Sequence, residues 1–358
     1  SAGAFNAAAR ARGAHDFART VRRVARVWRQ FHAHQVYGAD SLSVMRSGAR
    51  WLTLVSLGWA LARWRRLRPR SLLDNAPLEK LLAKMVPLMR LPRLIQKGHL
   101  TALAVTASSY SSGEHVTFYE SAQAVQPWVR SQRKAARDRI THEHLLASSA
   151  IPFVFPAKGI TIDGHTEYFG DGSMRQSAPI AAAIHLGAER VLVIGAGRMH
   201  EPRGDSTAPP SPSYPSLAQI AGHALSNIFL DALSVDVERV QRINQTLSLI
   251  PEEKRTHSAL RPVELLVIAP SQRLDAIAAR HVGDLPGPVR TMLGALGVTS
   301  NMADVRGAAL ASYLLFEQGY TQELMALGRA DTLARRADVC RFFGWKDTGA
   351  ALRTRLPT

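Results

Sequence analysis

The chain starts Ser1-Ala2-Gly3-Ala4, and much further along a strand-like segment ends in Phe169-Gly170-Asp171-Gly172-Ser173. A serine hydroxyl is a poor nucleophile at its free pKa and needs a base within hydrogen-bond reach. Histidine is the usual base. A carboxylate serves where its surroundings raise its proton affinity, or where it takes the proton as the tetrahedral intermediate forms. Ser1 is followed by small residues and then by the helix-permitting run Ala4-Phe5-Asn6-Ala7-Ala8-Ala9. That order reads as the second half of a G-x-S-x-G nucleophile elbow, whose tight strand-to-helix turn leaves no room for larger neighbours. The elbow's first glycine is missing because the chain begins at the serine. Asp171 is the natural second group. It ends a strand, Gly170 and Gly172 allow close approach, and ligands of open α/β sheets gather at the carboxyl ends of strands. On local chemistry alone, the plainer reading of Asp171 is a turn residue or the cap of the helix after it.

Other chemistry-bearing residues have plainer readings. His142 and His144 form an H-x-H pair, but a metal site needs more ligands, so a polar helix face beside the active site is expected. His185, on the helix after Asp171, is expected at the surface or in packing, and His165 is expected exposed beside a hairpin turn. Ser173 and Ser177 lack the small-residue elbow context. Gly195-Ala-Gly-Arg198 is too short a signal for nucleotide binding. The lone Cys340 excludes an internal disulfide and a cysteine-based zinc site, and is compatible with a reducing compartment.

Strands must position these groups and helices must cover them. Val21, Val24, Val27 and Phe31 predict helix over residues 4–34, and a second helical region spans 41–65. Asp74-Asn75-Ala76-Pro77 signals a helix start, with Leu78, Leu81, Leu82 and Met85 on its apolar face. Residues 101–107 and 115–119 read as strands joined through Ser111-Ser112-Gly113. Residues 127–149 read as helix. Asp163-Gly164 is a hairpin signal between strands 159–162 and 166–169, because both turn positions favour positive φ. Val191-Leu-Val-Ile194 is expected as a buried parallel strand. A surface loop from Arg203 to Pro215, a long helix from Leu217 to about Ile250, a strand at 263–268 and helices after Pro270 complete the pattern. Strands separated by helices imply an α/β sheet.

The 358 residues carry a net charge of +17, and 46% are hydrophobic. Residues 1–73 hold fourteen arginines against Asp16 and Asp40. Such a segment suits phosphate head groups or nucleic acid, or is simply a solvated basic surface. The apolar stretch Trp51 to Trp64 is too short for a bilayer-spanning helix, which takes ~20 residues. It precedes Arg65, Arg66, Arg68 and Arg70, and a helix packed on the core is expected there over an interfacial one. No signal peptide is visible, and the expected location is cytoplasmic with peripheral membrane contact.

The run Ala147-Ser-Ser-Ala-Ile-Pro-Phe-Val-Phe-Pro156 resembles the patatin-like phospholipase pattern A-S-x-A-I-P-x-x-F-P. Tyr168-Phe-Gly-Asp-Gly-Ser173, Ala178-Pro179-Ile180 and Leu186 to Ile194 look like that family's D-G-[GAS] motif and the helix and strand after it. Ser1-Ala2-Gly3-Ala4 is similar to its serine elbow. Phe316-Glu-Gln-Gly-Tyr320 is similar to the helical tail of one bacterial subgroup. The resemblance implies a three-layer α/β/α core over residues 1–275 and a helical extension over 276–358. It implies a Ser1–Asp171 dyad hydrolysing phospholipid or another acyl ester without a cofactor or metal, with the Ala2 N–H as an oxyanion donor. The family's glycine-rich oxyanion loop and the strand before the serine are not in this sequence, so weak or absent activity of the chain as given is expected. One rival reading makes Ser1 an N-terminal nucleophile with its own α-amino group as base. Another is a non-enzymatic basic module binding membrane or nucleic acid, although no nucleic-acid motif is present.

Overall fold

The computed structural model describes residues 2–38, 71–199, 216–230, 232–255, 258, 260–298 and 305–347. Ser1, the expected helix over 41–65 with its Trp51–Trp64 stretch, and the Arg203–Pro215 loop lie outside the described residues.

The helix expected over 4–34 is broken. Helix α1 runs Ala2–Arg12 and α2 runs Phe17–Arg29, followed by a 3-10 turn at Ala33–Gln35. Asp16 explains the break, because its carboxylate caps α2 by accepting the Arg19 N–H at 3.0 Å. The Thr20 hydroxyl donates to the Gly13 carbonyl at 3.0 Å, closing the turn. The apolar spacing of Val21, Val24, Val27 and Phe31 continues the helical period past this cap. Helix α3 (Ala76–Met85) starts where the Asp-Asn-Ala-Pro signal put it and buries Leu78 and Leu82. Helix α4 is Leu91–Gln96.

The main sheet is mixed, with strands β1 (Ala102–Ser109), β2 (His115–Ser121), β3 (Val129–Arg130), β4 (Arg133–Arg137), β5 (Lys158–Ile162) and β6 (His165–Asp171). They lie in the order β3-β4-β2-β1-β6-β5. Residues 127–149 are therefore not one helix: β3 and β4 occupy the first part, and helix α5 (His142–Ser148) only the last. The Arg/Lys/Ala composition of β4 favours helix, but pairing overrides it. Each residue of β4 pairs in parallel with β2, and Lys134 bridges Glu114 at 3.0 Å and Glu167 at 3.6 Å. The β5–β6 hairpin turns at Asp163 and Gly164, with φ of 51° and 82° as the Asp-Gly signal requires.

Strands β7 (Arg190–Ile194) and β8 (Glu264–Ile268) form a separate parallel pair. Helix α6 (Ala181–His185) precedes β7, and α7 (Leu217–Leu230) and α8 (Ala232–Ser248) follow it before β8, so the long helix expected from Leu217 is described as two segments flanking residue 231. The β7 run is parallel but not buried. Val191 and Val193 pack with Val237 and Val240 of α8, whereas Leu192 is 39% and Ile194 79% exposed. One face packs on α8; on the other, Leu266 of β8 is buried while its neighbours Leu192 and Ile194 in β7 stay open. Helix α9 is Glu252–Arg255, and α10 (Leu274–His281), α11 (Gly287–Ala295), α12 (Val305–Ser312), α13 (Gln318–Ala334) and α14 (Arg336–Phe343) follow.

The architecture is thus an α/β core with helices on both sides of a mixed sheet, and a helical C-terminal region. That region shares the principal core: Leu310, Leu314 and Leu315 are buried in one cluster with Phe31, Tyr37 and Phe118. Polar links reinforce it. The Tyr37 hydroxyl donates to the Leu314 carbonyl at 2.9 Å, and the Glu317 carboxylate accepts the Ala33 N–H at 3.1 Å.

His115 opens β2 fully enclosed, opposite Ser108, and its Nδ1 has no hydrogen-bond partner. Burial, reinforced by Arg133, pushes its pKa down to about 4. The fold therefore holds the neutral imidazole, and stability is lost as pH falls from about 6.5 toward 4. His115→Leu is expected to remove up to about 3 kcal/mol of that acid-side loss. Urea unfolding of the two proteins across this window checks it; parallel pH profiles contradict it.

Candidate active site

Asp171 is the last residue of β6 and is 2% exposed. Its position is fixed from three sides. Its N–H donates to the Ala150 carbonyl at 2.9 Å, and its Oδ1 accepts the Ser173 N–H at 2.8 Å. In the ladder it lies opposite Ala107 of β1. Ser173 is thus a backbone donor to Asp171, opening a 3-10 turn over Gly172–Arg175. The expected capping role of Asp171 is present as well.

The flanking glycines are required by close approach. A Cβ on Gly172 would lie 2.3 Å from the Thr106 carbonyl oxygen, and one on Gly170 2.5 Å from the Tyr110 hydroxyl. The first obstacle is backbone of the central strand and cannot swing away. One residue before this pair, Phe169 is buried edge-on against Phe118, with ring centroids 5.4 Å apart. Glu167, on the same strand, accepts from the Ser109 hydroxyl at 2.6 Å and the Ser112 hydroxyl at 3.1 Å. These bonds, the first of them foremost, hold its pKa below the usual carboxylate range. They tie the β1–β2 turn to β6 and fix the register that delivers Asp171.

Ser1 lies outside the described residues, and Ala2 opens α1. The first N–H groups of a helix have no partner within it and carry partial positive charge. Gly3, Ala4 and Ala7 of α1 line a cavity of about 590 Å³ whose other walls include Thr106, Ser148 and Gln176. The small residues after the serine therefore let α1 lie close to β1, and the cavity reaches from the first turns of α1 to the turn that follows Asp171.

A scan against family models matches residues 1–184 to the patatin-like phospholipase family. The chain belongs to that family. Its members act on lipid substrates as acyl hydrolases. No curated protein and no solved structure matches the chain significantly. The patatin motif Ala147–Pro156 has a visible task here: it ends α5, and its Ala150 carbonyl receives the Asp171 N–H.

The histidines take structural posts. His144 is buried rather than on a polar face; its Nδ1 accepts the Thr141 N–H at 3.1 Å, capping α5, and its ring sits edge-on to Phe118. His142 donates through Nε2 to the Val86 carbonyl at 2.8 Å. His185 stacks on Trp128 at 4.7 Å, and burial, then Arg130 and Arg133, lowers its pKa. His165 is exposed, as is Ser177. Among the described residues no group of three or more His, Cys, Asp or Glu side chains converges on a metal position. No helix among them is long and apolar enough to cross a membrane.

Two tyrosines beside Asp171 were not singled out by sequence. Tyr110 follows β1, and Tyr313 follows α12. Burial raises both pKa values, and the Asp171 charge raises each further. Tyr313 also bonds Ser226 of α7, which ties the C-terminal region to that helix. Neither tyrosine lies in a motif or at a telling spacing, which is why only the fold reveals them.

Gly172→Ala is expected to destabilise the protein by roughly 1–3 kcal/mol, the usual cost of overpacking; an unchanged thermal midpoint contradicts the Thr106 contact. Asp171→Asn removes a charge that raises the Tyr110 pKa, so Tyr110 should titrate at lower pH in that variant. NMR of labelled tyrosine checks this, and an unmoved Tyr110 curve contradicts it.

Proposed function

We propose that this chain is a serine acyl hydrolase in which Ser1 attacks the ester carbonyl of a phospholipid or related lipid and Asp171 takes its proton. The Ser1 Oγ–carbon bond forms as the carbonyl π electrons move onto oxygen. We assign the Ala2 N–H, at the N-terminus of α1, as a donor to that oxyanion. Collapse of the tetrahedral intermediate breaks the ester C–O bond, and the alcohol leaves with the proton held by Asp171. A water then gives its proton to Asp171 and its oxygen to the acyl carbon, releasing the fatty acid and restoring the Ser1 hydroxyl.

The observation that carries this reading is the cavity shared by the first turns of α1, by Thr106, whose carbonyl Gly172 closely approaches, and by Gln176, which ends the turn after Asp171. Family membership supplies the substrate class. An exposed row on α2, Arg19, Arg22, Arg23, Arg26 and Arg29 beside Phe17 and Val21, supports contact with an anionic lipid surface.

Asp171→Asn and Ser1→Ala are each expected to lower kcat for a fluorogenic acyl ester by about 10²- to 10⁴-fold. Thermal midpoints serve as the folding check. A folded Asp171→Asn variant with the parent's kcat overturns the dyad.

A further inference from the structure

Helix α1 has two faces with different company. Gly3, Ala4 and Ala7 border the cavity beside β1. Phe5, Ala9 and Arg12, on the opposite side of the helix by its 3.6-residue period, border a second cavity of about 310 Å³ between α1, α2 and α3. Its floor is apolar, built from Phe5, Val27, Trp28, Leu81 and Met85. Trp28 is held in place there by its Nε1–H, which donates to Asn6 Oδ1 at 2.9 Å.

The rim is basic: Arg12, Arg19, Arg23 and Arg90. Among the described residues none of these guanidiniums makes an ion pair. Arg12 is crowded enough that burial, then Arg23 and Arg90, depresses its pKa. The rim's one acid, Asp16, is committed to the N-cap of α2, and its one histidine, His15, faces His99 with ring centroids 6.2 Å apart. An anion seated over the apolar floor relieves the mutual repulsion of these neighbouring guanidiniums.

We propose that this cavity binds a single-chain anionic amphiphile, a long-chain carboxylate, with its tail on the Phe5–Met85 floor and its head among Arg12, Arg23 and Arg90. The volume lies at the low end of the range for small-molecule sites, ~300–1,000 Å³, which suits one acyl chain rather than a diacyl lipid. The site is independent of the esterase reading, since no residue of the Asp171 turn borders it. If that reading also holds, the ligand is of the same class as the released product.

Calorimetric titration of the protein with sodium dodecanoate, below its micellar concentration, tests this. Saturable binding at one per chain is expected, at least tenfold weaker for dodecanol and absent for acetate. Arg23→Gln/Arg90→Gln, both exposed positions, should weaken dodecanoate at least tenfold while leaving the thermal midpoint of the free protein unchanged. Leu81→Trp, which fills the floor, should abolish binding; circular dichroism checks its fold. Equal affinity for dodecanol, undiminished binding by the arginine variant, or association only with anionic vesicles and not with the monomer overturns the proposal. Leu81 belongs neither to the Ser1–Asp171 site nor to the basic row of α2, so loss of dodecanoate binding in Leu81→Trp with hydrolysis of a soluble ester intact separates the two readings.

Discussion

A buried carboxylate at the end of a strand is tenable only where the surrounding backbone holds it, and here the decisive contact is Gly172 against the Thr106 carbonyl. With no Cβ to spare, the chain leaves β6, turns, and enters the 3-10 segment while still touching the central strand. Asp171 is thereby held by backbone bonds, its N–H donating to the Ala150 carbonyl and its carboxylate accepting the Ser173 N–H. The consequence is a preorganised carboxylate; in the proposed mechanism it accepts the Ser1 proton without first having to be oriented.

The rest of the molecule supports that turn from both ends of the sequence. Glu167 and the β1–β2 loop fix the register of β6. α6 starts where the Ile180 N–H donates to the buried Asp236 carboxylate of α8 at 2.9 Å. The C-terminal helices close the principal core around Phe31 and Tyr37 and bring Tyr313 toward the carboxylate. Helix α1 joins the two systems, with small residues toward the sheet and an aromatic and basic face away from it.

Much of the site was legible because its constraints are local. Asp163-Gly164 specified a hairpin through positive φ, Gly170-Asp171-Gly172 specified close approach, and Ala147–Pro156 carried a family pattern. What stayed hidden depends on contacts distant in sequence. Residues 133–137 form a strand because β2 supplies a partner, against their composition. The break at Gly13–Asp16 is hidden because apolar spacing runs through it. His144 reads as polar helix surface, yet its buried imidazole caps its own helix. Tyr110, Tyr313 and the four-arginine rim converge only in the fold, and no spacing along the chain encodes them.

The central claim is that one serine is activated by Asp171, and covalent trapping addresses it most directly. A fluorophosphonate forms a stable adduct only with a serine whose hydroxyl is activated, and peptide mass spectrometry locates the label. The account predicts labelling of the peptide containing Ser1, strongly reduced in Asp171→Asn. Labelling at Ser173 or Ser177, or undiminished labelling of Ser1 without the carboxylate, would contradict it.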